Sequence, residues 1–147
     1  MLYTVNIQDE KIKLGAYYVF RHYSDDKFLN RIRAVEKFNH TELNSYDVAY
    51  TIEFGLLKKQ IEIRPYKSVN PWSKAIAYAK DDKIFINTRK KFGVLDRVET
   101  IFHESMHLIG FSHDGNFVTD YNLKTVPYLA ANIFANYIKE IYDLKAW

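Results

Sequence analysis

Apolar and polar residues alternate from Leu2 to Ile7 and again from Lys11 to Leu14, with polar Gln8, Asp9 and Glu10 between them and a Tyr17 to Phe20 run behind. Period-two alternation predicts strands for these segments. The period then changes. Phe28, Leu29, Ile32, Val35 and Phe38 recur at close to 3.6 residues, which predicts a helix from a Ser24 cap to Asn39 and His40, its apolar stripe laid on a sheet. Four short strands are predicted next, at Val48 to Phe54, Gln60 to Arg64, Ala75 to Ala79 and Ile84 to Asn87, with Lys80-Asp81-Asp82-Lys83 as a turn.

A second helix has clear ends. Asp96 followed by Glu99 is a capping-box-like start, and Gly110 is the residue type that ends helices at C′. Leu95, Val98, Phe102, Met106 and Ile109 form its core face. The last helix begins at Pro127, a residue favoured in the first turn, and carries Leu129, Ile133, Tyr137, Ile138 and Ile141 on one side. Strands gathered early and flanked by helices predict an α+β architecture, with an N-terminal, a central and a C-terminal helix around a twisted mixed sheet.

At 147 residues the chain fits one domain, 1–147, and it shows no internal repeat or linker; Pro65, Pro71 and Pro127 each fall at an element boundary. With 48% apolar and 16% aromatic residues it has the composition of a folded protein. The net charge of +3 supplies no concentrated field for a polyanion, so nucleic acid is not an expected partner. Lys58-Lys59 and Arg89-Lys90-Lys91 read as solvated loop charges. No secretory signal opens the chain, and its longest uncharged stretch with helix formers, Thr125 to Ile138, is shorter than the roughly 20 residues that span a bilayer. The expected location is the cytoplasm or a virus particle. The chain has no Cys, so any transition-metal site must be built from His and carboxylates.

Such a set occurs at His103-Glu104-Ser105-Met106-His107-Leu108-Ile109-Gly110-Phe111-Ser112-His113-Asp114. Residues four apart on a helix lie one above the other, so His103 and His107 project from one face, distinct from the core stripe, and Glu99 extends the same polar row. A catalytic zinc takes three protein ligands and leaves a fourth position for water. Gly110 permits a positive φ, so the chain can reverse after the helix and return His113 to the other two. Glu104 has Leu108 one turn on and no ion-pair partner there, which leaves its carboxylate to act as general base; the plainer reading is a solvated surface carboxylate. HExxH alone arises by chance in roughly one such chain in a hundred, and the form with Gly110 and His113 on the order of once in 10⁵. His22 and His40 lie outside any ligand spacing and read as surface or turn residues.

This segment resembles the metzincin clan of zinc metalloproteases, whose HExxHxxGxxH signature it matches at every fixed position. Asp114 resembles the residue at that place in adamalysin-like members. The resemblance spans about Ala75 to Tyr128. It implies a small domain with a twisted, mostly parallel sheet, an active-site helix beneath it, and a substrate groove along an antiparallel edge strand. By the same analogy Ala75 to Ala79 is that edge strand, pairing with an extended peptide, and Ile84 to Asn87 lies beside it; the other reading is two ordinary buried strands.

The chain departs from the clan in one respect. Metzincins carry a Met in a tight turn under the zinc, often as Met-x-Tyr, and no Met follows Met106. Val126-Pro127-Tyr128 is a candidate for that turn, with Tyr128 facing the metal and donating to an oxyanion; the alternative is a core aromatic at the start of the last helix. Tyr121 is a weaker substitute. The functional expectation is a Zn²⁺-dependent endopeptidase acting on a peptide or protein substrate, with His103, His107 and His113 as ligands and Glu104 as base. The competing expectation is a non-catalytic structural or assembly module, part of a larger particle, that keeps the fold and the zinc.

Overall fold

A computed structural model describes residues 1–70, 72 and 75–144. Among them the order is β1 (Leu2–Val5), α1 (Glu10–His22), α2 (Asp26–Arg33), α3 (Ser45–Leu57), β2 (Gln60–Tyr66), β3 (Ala77–Lys80), β4 (Lys83–Asn87), α4 (Val94–Leu108) and α5 (Val126–Ile141), with a 3-10 turn at Asn122–Lys124. Five helices and one four-stranded mixed sheet make the architecture α+β, as expected.

The sheet order is β1-β2-β4-β3. β1 pairs parallel with β2, and β2 parallel with β4, while β3 runs antiparallel to β4 at the edge. Ile61 and Ile63 of β2 and Ile84 and Ile86 of β4 are buried on one face, the alternation that one covered sheet face requires. The β3–β4 turn places Asp81 and Asp82 at φ 53° and 56°. Two positive φ values in a two-residue loop match the right-handed twist of the flanking strands, and Asp tolerates that region better than most residues.

Three predicted strands are helical. Lys11 to Leu14 and Tyr17 to Phe20 belong to α1, because Asp9 caps it by accepting from the Lys11 and Ile12 amides at 2.9 and 3.1 Å. Ile12, Ala16 and Val19 are then buried at helical spacing. Val48 to Phe54 belongs to α3, where Asn44 caps by accepting from the Asp47 amide at 2.9 Å. In both cases the local alternation of β-branched and aromatic residues is overridden by a cap that commits the chain to the helical period.

The helix predicted from Ser24 to His40 is shorter, with Asp25 at its N-cap and its end at Arg33. Phe38 is buried beyond it, and His40 is an exposed turn residue at φ 63°. α2 packs chiefly against α3 and α5 instead of the sheet. α4 starts one position before its first core residue, with Gly93 at the N-cap and its amide donating to the Asp96 carboxylate at 3.2 Å, so the cap pair is Gly93 and Asp96 rather than Asp96 and Glu99. On α5 the buried set is Ala130, Ala131, Phe134, Ala135, Tyr137 and Ile138; Leu129 and Ile133 sit at the margin and Ile141 is exposed. Small alanines let α5 approach α4 closely. Pro127 lies in its first turn, Pro65 one residue from the end of β2, and Pro71 outside the described residues.

α4 is the hub. It packs on α1 and α5 and against β3 and β4. Phe102 stacks on Phe134 with centroids 4.5 Å apart, and Phe28 closes the trio edge-on at 5.5 and 5.0 Å. On the opposite flank a Cβ at Gly15 of α1 would come within 3.2 Å of the Arg97 side chain, so the two helices meet there through a residue with no side chain. Ser105 donates to the Ile101 carbonyl at 2.7 Å and shares a 2.6 Å hydrogen bond with the Tyr3 hydroxyl, which ties β1 to the helix. Held on these sides, α4 presents its remaining face to a groove. No helix among the described residues is long and apolar enough to cross a membrane.

Candidate metal centre

The end of α4 is a complete Schellman motif. The Gly110 amide donates to the His107 carbonyl at 3.1 Å and the Phe111 amide to the Met106 carbonyl at 3.0 Å, with Gly110 at φ 101° and Phe111 buried. That reversal returns the chain along the helix and brings His113 to His103 and His107. Ring centroids are 5.0 Å apart for His103 and His107, 5.3 Å for His103 and His113, and 4.8 Å for His107 and His113. One nitrogen from each lies within 4.8 Å of the other two, and the three rings could together hold a metal ion.

Hydrogen bonds to main-chain carbonyls aim the rings. His107 Nδ1 lies 2.9 Å from the Phe111 carbonyl oxygen and His113 Nδ1 lies 2.7 Å from that of Gly115, while the His103 ring donates to the Pro127 carbonyl. A carbonyl only accepts, so each of these contacts consumes the one proton of a neutral imidazole and leaves a lone pair on the other nitrogen. The Nε2 atoms of His103 and His107 face each other at 3.2 Å. Burial, then the neighbouring His107 and His113, lowers the His103 pKa to about 3; burial likewise lowers that of His107. Both shifts favour the neutral ring at His103 and His107, the state in which imidazole ligates.

Glu104 is buried at 8% exposure and has no hydrogen-bond partner among the described residues, unlike a solvated surface carboxylate. Burial raises its pKa to about 7. It opens onto the same groove, a cavity of about 1020 Å³ that runs along β3 and is also lined by Tyr78, Glu99, Phe117 and Tyr128. Glu99 shares the polar row of α4, and burial, then Asp96, raises its pKa.

Tyr128 faces the centre. Its ring stands at 4.5 Å from that of His103 and 5.0 Å from that of His113, so it is not a core aromatic. Tyr121 points away, its hydroxyl 3.3 Å from His40 Nδ1. Asp114 is exposed and is held by its main chain. His22 is not a free surface residue: it bridges Asp25 at 2.7 Å and the Tyr142 hydroxyl at 2.6 Å, remote from the three clustered rings in sequence and contacts.

Two residues at the site carried no motif. Asn122, fully enclosed, accepts from the Asp114 amide at 2.8 Å and donates to the Asp114 and Phe117 carbonyls at 2.6 and 2.8 Å. It fastens the loop that carries His113 to the segment that leads into Tyr128. Tyr66, at the end of β2, has a buried hydroxyl without a partner among the described residues; its ring lies 5.1 Å from that of Tyr78, and Glu104 contributes to raising its pKa after burial and Tyr78. A lone Asn in a loop and a Tyr at a strand end have no distinguishing spacing. Comparison of the chain with protein-family models, with curated proteins and with solved structures returns no match in any of the three.

Proposed function

We propose that the chain is a zinc-dependent endopeptidase of metzincin type. The observation that carries this reading is the convergence of three imidazoles and one buried carboxylate, unpartnered among the described residues, on a single groove beside an edge strand. Three nitrogen donors without a thiolate suit zinc, and two nitrogens about 2.0–2.1 Å from one tetrahedral ion lie roughly 3.3 Å apart. The 3.2 Å between the His103 and His107 Nε2 atoms fits that requirement.

A zinc ion, when bound, supplies Lewis acidity toward a carbonyl oxygen and lowers the pKa of water. The chain supplies the rest. Glu104, with its pKa raised to about 7, takes a proton from the attacking water and returns it to the nitrogen of the departing amine. Tyr128 donates its phenolic proton as a hydrogen bond to the oxygen on which negative charge develops; its own pKa, raised by burial and by Glu104, keeps it protonated. Val126-Pro127-Tyr128 takes the place of the missing Met turn, with Val126 buried as the floor. β3, at the sheet edge, accepts an extended peptide by main-chain pairing, and the small Ala77 and Ala79 allow close approach.

Metal analysis of protein purified without added zinc, combined with a peptide-library digest by wild type and Glu104→Gln, tests the proposal. The wild type should contain about one zinc per chain and cleave, and Glu104→Gln should keep the zinc and lose cleavage. Hydrolysis retained by Glu104→Gln overturns the mechanism. Zinc bound by a wild type that cleaves no peptide favours the structural module instead.

A further inference from the structure

α3 is apolar on two sides. Val48, Ala49, Ile52 and Leu56 are buried in the core. Tyr46, Tyr50, Phe54 and Leu57, spaced by four, four and three, form a second face that is 69%, 64%, 42% and 53% exposed, and the Tyr50 and Phe54 rings touch at 4.6 Å. Solvent-facing sides of surface helices ordinarily carry charge. Here the charges flank the stripe. Asp47 near the start of the helix and Lys58 at its end lie three turns apart on one flank, both are exposed, and neither forms an ion pair among the described residues.

We infer that this face is covered by a second copy of the chain, the two α3 helices packing antiparallel about a two-fold axis that passes between Tyr50 and Phe54. Tyr46 of each copy then meets Leu57 of the other, and Asp47 meets Lys58. The midpoints of the two pairs fall within about one residue of each other, so a single axis serves both, as an isologous contact demands. Parallel pairing would set Asp47 against Asp47 and Lys58 against Lys58. Glu53 occupies the other flank, within electrostatic reach of Tyr23.

At about 200 Å² for a fully exposed side chain of this size, the stripe offers roughly 450 Å² per chain, or about 900 Å² per pair. That is the size of a weak, exchanging dimer rather than a permanent one. Tyr-rich, charge-poor centres with a charged rim are the composition of such contacts.

Sedimentation velocity across a concentration series tests the inference independently of any protease activity. The mean mass should climb toward two chains between about 10 and 500 μM, the concentration range of a weak, exchanging association. Phe54→Glu should remain one chain throughout. Asp47→Lys and Lys58→Asp should each weaken association at least tenfold, and mixing those two variants should restore it, because each supplies the charge the other lacks. Circular dichroism of every variant identifies any that fails to fold, and the mixture is read only with folded chains. A wild type at single-chain mass throughout, a dimer indifferent to Phe54→Glu, or a mixture no stronger than its components overturns the assignment.

Discussion

The ring of Tyr128 stands edge-on to the ring of His103, at 78° and 4.5 Å between centroids, although 25 positions separate the two residues in the chain. The start of α5 is thereby built into the candidate metal centre, which ties a residue outside the HExxHxxGxxH signature to the chemistry proposed for it.

Tyr128→Phe keeps the ring packing and removes only the hydroxyl. Peptide cleavage should fall by about 100-fold in kcat, the usual cost of one oxyanion donor, with KM and zinc content little changed. A variant with wild-type kcat would leave Tyr128 a packing residue.

His113→Ala removes one of the three proposed ligands and uncovers no core. Thermal melts with and without chelator should show wild type stabilised by metal, by about 2.7 kcal/mol at a free concentration 100 times the dissociation constant, and His113→Ala hardly at all. Equal metal-dependent shifts in the two proteins would remove His113 from the site.

Gly110→Ala isolates a backbone effect, because a Cβ there would meet nothing within 4 Å while φ stays at 101°. The substitution should cost about 1–3 kcal/mol in denaturant melts and weaken zinc binding by displacing His113. Gly110→Asn, which tolerates the left-handed region, should recover much of both losses.

Tyr137 donates to Asp25 at 2.7 Å, and burial, then that hydrogen bond, pushes its pKa up to about 12. In the unfolded chain it titrates near pH 10. Between about pH 10 and 12 the unfolded state therefore binds fewer protons than the native state, and stability falls as pH rises. Tyr137→Phe should be less stable than wild type at pH 7 and lose less on going to pH 11. Parallel losses for both proteins in urea melts at the two pH values would show that the phenol does not titrate with unfolding.

The centre was more legible in the sequence than the fold around it. His103, His107 and His113 were readable because helical spacing and one positive-φ glycine determine their convergence through local geometry. Glu104 was readable for the same reason. The strand order β1-β2-β4-β3 rests on long-range pairing that no local pattern specifies. α1 and α3 were misread because Lys11 to Leu14 and Val48 to Phe54 satisfy a two-residue period over a short window, while Asp9 and Asn44 act from just outside it. Asn122 was invisible because its three hydrogen bonds are to main-chain atoms of residues five and eight positions away, which no residue pattern records.

The partners that orient the three imidazoles are the peptide oxygens of Phe111, Gly115 and Pro127. Those oxygens are main-chain atoms, so the aim of the rings depends on the path of the chain, which Gly110 at φ 101° and Gly115 at φ 64° hold in the left-handed region. Neighbouring side chains can then change only where they leave that path intact, and the two glycines, which lack a side chain to exchange, are what the convergence of the imidazoles rests on.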